Sequence, residues 1–183
     1  MHPILHFKTI TQHKEKVLEH CLRCGIPWQG LTHDLSKYSP TEFIPGALYY
    51  QGNRSPNERE RELFGASAAW MHHKGRNRHH FEYWTDVNPA TKKYEPVEMP
   101  LRYVKEMFCD RVAASKIYKG DAYTDDCALT YFLHSQARDN MHPKTAMLLR
   151  RWLEMLAREG EEKTFAHIRR IRHVRYGNTA GKE

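Results

Sequence analysis

Two adjacent histidine pairs, His72-His73 and His79-His80, stand seven residues apart in the stretch AAWMHHKGRNRHHFEYW. Seven residues is close to two helical turns, so on a continuous helix His73 and His80 share a face. Neutral imidazole is the commonest metal-ligating side chain near pH 7, which makes a metal site the sharp reading. The bland reading is a wet, basic surface helix. A second cluster lies upstream in LTHDLSKYSPTEF, where His33 and Asp34 are consecutive between Leu31 and Leu35. Burying that pair without partners is expensive, and a cation satisfies both at once. Lys37 follows Asp34 by one turn; it either holds a phosphate that the metal also touches or pairs with Asp34. His13 falls between Ile10 and Val17 and points inward, where a lone histidine is more often a hydrogen-bonded core residue than a ligand. Asp110 lies on the line Tyr103, Met107, Asp110, Ala114, Ile117, an apolar stripe. Such a carboxylate takes a salt bridge from another helix or a metal.

The elements that must position these residues read as helices. Thr9 or Thr11 is expected to cap a first helix that stops at Gly25, with Ile10, Val17, Leu18, Cys21 and Leu22 on one face. Ser39, Pro40 and Glu42 resemble a helix start, giving a short helix over about 40–50. A charged helix starts at Ser55 or Asn57 and runs to the first histidine pair. Gly75 and Asn77 end or bend it, and then the pairs converge through a turn rather than along a straight face. Phe81, Tyr83 and Trp84 read mainly as core. The proline-bearing segment 86–100 reads as a long connecting loop of the kind that often borders a binding site. Helices follow over about 97–118, 125–138, 143–158 and 161–174, punctuated by Gly120, Asp139-Asn140 and Gly160. No strong strand and no internal repeat is visible. The expectation is an all-α, single-domain helical bundle over 1–176, with a metal-site core over about 9–117, C-terminal helices over about 123–175 and a flexible tail at 177–183.

Composition sets the class. The chain has 183 residues, 40% hydrophobic and 28% charged, and suits one domain with an ordinary core. No apolar run approaches the ~20 residues that span a bilayer, and the start lacks a signal-peptide layout, so a cytoplasmic protein without membrane association is expected. The formal net charge of +7 favours an anionic partner. Histidine is the anomaly, at 13 of 183 residues, several-fold above typical usage. Cys21-x-x-Cys24 has no second CxxC to complete a zinc site. Arg169, Arg170, Arg172 and Arg175 form a basic run in the last helix, a solvated face or, less favoured, a nucleic-acid contact.

The order His13, His33-Asp34, the two histidine pairs and Asp110, with HDLSK as an HD-x-x-K form, resembles the HD-domain superfamily of metal-dependent phosphohydrolases. The likeness spans about 9–117. The extra histidines are similar to those of its binuclear branches, including cyclic-dinucleotide phosphodiesterase-like members, although no glycine-tyrosine-proline element follows His80. The HHKGRNRHH segment is also similar to a small uncharacterised family of bacterial and phage proteins. The resemblance implies an HD-like fold and one metal on His13, His33, Asp34 and Asp110. A second metal would take His73 and His80, or their neighbours His72 and His79, with Asp34 bridging. Mixed nitrogen and oxygen donors suit manganese, iron, cobalt or zinc, with magnesium as a further choice.

The implied reaction is phosphoester cleavage by metal-activated water, with Asp34 and Lys37 as the catalytic residues. Lys37, Lys74, Arg76 and Lys105 are the candidates to bind substrate phosphate. The expected substrate is a small phosphorylated molecule, a nucleotide first. The alternatives are a non-catalytic, metal- and nucleotide-binding regulatory HD-like domain, a basic nucleic-acid-binding helical protein, and an oxygen-using binuclear iron protein.

Overall fold

Proline opens five of the helices in a computed structural model that describes residues 1–172. Its fixed φ suits a first helical position, and its missing N–H is not needed there. The helices are α1 (Pro3–Cys24), α2 (Pro27–Thr32), α3 (Pro40–Leu48), α4 (Pro56–Phe64), α5 (Ala68–Arg76), α6 (Leu101–Lys119), α7 (Cys127–His134) and α8 (Pro143–Arg170). Short 3-10 turns occupy Leu35–Tyr38, Phe81–Tyr83 and Gly120–Ala122. The described chain is therefore all-α apart from one antiparallel hairpin, β1 (Thr85–Val87) and β2 (Tyr94–Pro96).

The core lies between α1, α6, α7 and α8. Val17, Cys21 and Cys24 of α1 meet Val104, Phe108, Cys109 and Val112 of α6, Phe132 of α7, and Leu149, Trp152, Leu153, Leu156, Phe165 and Ile168 of α8. All these side chains are excluded from water, where each large apolar group contributes roughly 1.5–3 kcal/mol. On its other side α1 carries α2 and α3, and α5 packs on α3. Phe81 and Trp84 pack against the core as expected, whereas Tyr83 is exposed. Cys21 and Cys24 are core residues, with Cys24 Sγ 3.5 Å from Cys109 Sγ.

Several boundaries differ from the sequence expectations. α1 starts at Pro3, so Thr9 and Thr11 are interior; their hydroxyls meet Tyr50 and Tyr38. Leu22 is exposed, and the buried line of α1 is instead His6, His13 and His20 with Ile10, Val17 and Cys21. The charged helix is two helices: Gly65 takes a left-handed φ of 77° that stops α4, and Ser67 caps α5 by accepting from the Trp70 N–H. The segment read as a loop contains the hairpin. The expected helices 143–158 and 161–174 join through Gly160, whose φ 77°, ψ 174° interrupts α8. The end of that last helix, with Arg175 and the tail 177–183, lies outside the described residues. Arg169 and Arg170 are exposed.

Candidate metal centre

Asp34 stands at the junction of α2 and the 3-10 turn Leu35–Tyr38, with φ 53° and ψ 26°. Left-handed backbone is uncommon outside glycine, and Asp and Asn tolerate it best. The junction is tied down from α1. Lys14 Nζ donates to the carbonyls of Leu31 at 2.7 Å and His33 at 2.9 Å. These are carbonyls at the end of α2, where a cation is favourable. The chain reversal puts His33 and Asp34 side by side against α6, both buried.

Two groups of donors meet at Asp34. His13, His33, Asp34 and Asp110 form one; Asp34, His73, His79 and His80 form the other. Within each group the donor atoms lie within 4.8 Å of one another. His13 Nε2 is 2.9 Å from Asp110 Oδ1, and His33 Nε2 is 3.3 Å from Asp34 Oδ2 and 3.6 Å from Asp110 Oδ1. On the other side Asp34 Oδ1 is 3.3 Å from His73 Nε2 and 3.4 Å from His79 Nε2. Donors about 2.1 Å from one ion, at octahedral or tetrahedral angles, stand about 3.0–3.4 Å from each other. The spacings fit that shape.

The hydrogen-bonding ledger agrees. His13 Nε2, His33 Nε2, His79 Nε2, His80 Nε2 and Asp34 Oδ1 are buried without a hydrogen-bond partner. Orphaned buried polar atoms are rare and call for a cause. Meanwhile the Nδ1 atoms of His33 and His79 are engaged, as are those of His72 and His73. Glu106 Oε1 accepts from His33 Nδ1 at 3.0 Å and from His79 Nδ1 at 3.1 Å. Glu42 accepts from His72 Nδ1 at 2.6 Å and from His73 Nδ1 at 2.7 Å. Burial opposes charge on Glu106, yet those two histidines hold its carboxyl below the ordinary range. An ionised carboxylate only accepts, so Nδ1 of each of these rings carries a proton and Nε2 is the atom left to a cation, a proton or a metal, as in carboxylate–histidine–metal arrangements.

The local field is strongly negative. Burial works against Asp34 and Asp110, but His33, Lys37 and His73 hold the first well below the carboxylate range, and His13 and His33 do the same for the second. Burial likewise disfavours His33 protonation, yet Asp34, Asp110 and Glu106 outweigh it and lift its pKa well above normal. A place that attracts a proton this strongly is suited to a cation. Lys37 Nζ lies 2.7 Å from Asp34 Oδ2, and despite its burial Asp34 and Asp110 keep it firmly protonated.

His13, Asp34, His73, His80 and Asp110 of the cluster line a cleft of about 910 Å³. Met107, Asp110, Ala114 and Ile117 face it, so much of the stripe read as a packing surface is a cleft wall. The core-packing side of α6 is instead Val104, Phe108 and Val112.

The expected ligands His13, His33, Asp34, His73, His79, His80 and Asp110 come together; His72 does not belong to either group and is held by Glu42. The histidine pairs converge through a break, because α5 ends at Arg76 and Asn77 is extended (φ −108°, ψ 102°). Neither expected pairing holds by itself: His73, His79 and His80 all join Asp34. Among the expected phosphate binders only Lys37 lines the cleft. Lys105 is two residues from Met107, on the opposite face of α6, and its buried Nζ donates to the Cys24 carbonyl at 3.4 Å. Lys74 and Arg76 are off the cleft because Ala69, Trp70 and His73 carry the inward face of α5. Glu106 and Glu42 were missed. Glu106 sits four residues before Asp110, one turn away on the same helix, and that spacing was the available signal. Glu42 was hidden by its resemblance to a capping acid.

No curated protein and no solved structure matches this chain. Residues 3–155 match the model of a family of unknown function, DUF5662, and the chain belongs to that family.

Proposed function

We propose that the chain is a metal-dependent phosphohydrolase that cleaves a phosphoester of a nucleotide or related small molecule. The observation carrying this reading is the convergence of unpartnered imidazole Nε2 atoms and carboxylate oxygens, shared through Asp34, at the floor of a cleft. The resemblance to HD-domain phosphohydrolases supports it independently, since the H…HD…D positions His13, His33, Asp34 and Asp110 make up one of the two donor groups. Nitrogen and oxygen donors without thiolate suit manganese, iron, cobalt or zinc better than calcium.

Divalent ions held by these donors would supply Lewis acidity toward water and phosphoryl oxygens. The chain's own side chains do the rest. Lys37, held protonated by Asp34, neutralises charge on a non-bridging oxygen. Glu42 and Glu106 fix the rings so that no ligand has to reorient during turnover. The cleft volume falls in the range of small-ligand sites, about 300–1,000 Å³.

Elemental analysis per chain, followed by turnover of a nucleotide and p-nitrophenyl phosphate panel with added manganese, tests the reading. One or two transition ions per chain and phosphate release are expected. Asp34→Asn tolerates the same left-handed backbone but removes the shared charge, so it should lose both metal and turnover. Full metal and turnover in that variant would overturn the role of Asp34. Bound metal with no turnover would favour a regulatory, nucleotide-binding domain instead.

A further inference from the structure

Five cations line the cleft: Lys37, Arg54, Arg61, Arg111 and Lys119. Lys37 is paired with Asp34, and Arg54 is held by Glu62 in a two-pronged bond. Lys119 is exposed at the end of α6. Arg111 differs from these by the burial of its Nε, and Arg61, exposed like Lys119, lies with it on the cleft. Among the described residues no carboxylate lies within 4.0 Å of either guanidinium. Arg111 Nε is buried and has no hydrogen-bond partner. Glu82 also lines the cleft, but beyond ion-pair distance. Each guanidinium rests against an aromatic ring, Arg111 at 5.7 Å from Phe132 and Arg61 at 5.4 Å from Trp70. Such support steadies the planar group and leaves its in-plane N–H donors free for an anion. Asp110 and Glu82 lie close enough to act on Arg111 through space but not to pair with it, so its buried Nε keeps a donor that an anion can satisfy.

Position narrows the ligand. Arg111 lines the same cleft as Asp110 and is close enough to feel its charge, so an anion on Arg111 sits on the donor-cluster side of the cleft. We propose that Arg111, assisted by Arg61, is a second anion subsite, and that the substrate carries a further phosphoryl group next to the one that reacts. That class is a nucleoside polyphosphate or bisphosphate, not a simple phosphomonoester. The proposal rests on the phosphohydrolase reading for its reaction but not for its binding.

The test compares methylenediphosphonate with methylphosphonate, both resistant to hydrolysis, by calorimetry on the purified chain in excess manganese. The diphosphonate is expected to bind about tenfold or more tightly, the scale of a two-pronged charge-assisted contact. Arg111→Gln should bring the two within about twofold while metal per chain stays unchanged. If Arg111→Gln gives no cooperative melt, Arg111→Lys, which keeps the charge without the fork, should still lose part of the preference. Equal binding of the two phosphonates by the wild-type chain, or a preference untouched in folded Arg111 and Arg61→Gln variants, would overturn the subsite. A preference that depends on Arg111, with no turnover of any nucleoside di- or triphosphate, would overturn the hydrolase reading and leave the subsite standing. Nucleotide turnover without that preference would do the reverse.

Discussion

One oxygen of Glu106 accepts from two imidazoles that belong to different donor groups. A glutamine there keeps the shape but offers a weaker, uncharged acceptor. Glu106→Gln should therefore weaken metal binding by about 10–100-fold, measured by chelator competition, with little change in the fold. The histidine pair on α5 makes a sharper contrast. His73 Nε2 faces Asp34, whereas His72 is turned to Glu42. His73→Ala should lower metal content per chain, and His72→Ala should leave it close to wild type. At this scale the sequence was informative where a residue broke a pattern: His33-Asp34 between leucines, or Asp110 within an apolar line. It was uninformative where the residue had an ordinary alternative, as Glu42 had at a helix start. It misled at Lys105, because charge alone does not say which side of a helix faces the cleft.

Elements position the site through a few ties. Lys14 joins α1 to the end of α2 through the carbonyls of Leu31 and His33. Lys14→Met keeps the aliphatic stem but removes the donors. Its expected effect is a loss of metal affinity larger than the loss of thermal stability, read by chelator competition and melting on the same sample. Gly160 is a different kind of joint. Its φ 77°, ψ 174° is a region open essentially to glycine alone. Gly160→Ala should cost about 1–3 kcal/mol in urea unfolding and leave metal content untouched, because the kink lies in α8, away from the donor groups. The start at Pro40 was legible from its proline, and the breaks at Gly25 and Gly160 from their glycines, whereas the starts at Pro3 and Pro27 were not read. The α4–α5 break was not, because the apolar and charged periodicity runs on across Gly65. The hairpin escaped notice because three-residue strands are too short for alternation to register.

For the molecule as a whole, the helical class was readable from the 3.6-residue spacing, and no described helix is long and apolar enough to cross a membrane. The buried His6, His13, His20 line of α1 was not read as a unit, since only His13 entered a motif. His20 has a consequence for stability. It is fully buried, with Nδ1 donating to the Cys109 carbonyl at 3.2 Å, and burial lowers its pKa from 6.5 to about 4. Over that window the unfolded chain binds the proton and the folded chain does not. Stability from this group is complete above 6.5 and falls as pH drops toward 4, by about 3 kcal/mol in all. Urea midpoints across that range should fall steeply for the wild-type chain. His20→Asn, which does not titrate but keeps a donor for Cys109, should flatten the decline.

The carboxylate surplus around Asp34 sets an itinerary for ligands. Asp34, Asp110, Glu42 and Glu106 are met by one ammonium, Lys37 on Asp34, and by imidazoles, in a chain whose formal net charge is +7. Without a cation at Asp34, a phosphate approaching the donor groups themselves would meet those carboxylates, although Arg111 stands nearby. Divalent ions held by the proposed donors would turn the same region attractive. On the proposed reading loading would be sequential, with the ion first and the phosphoryl group second.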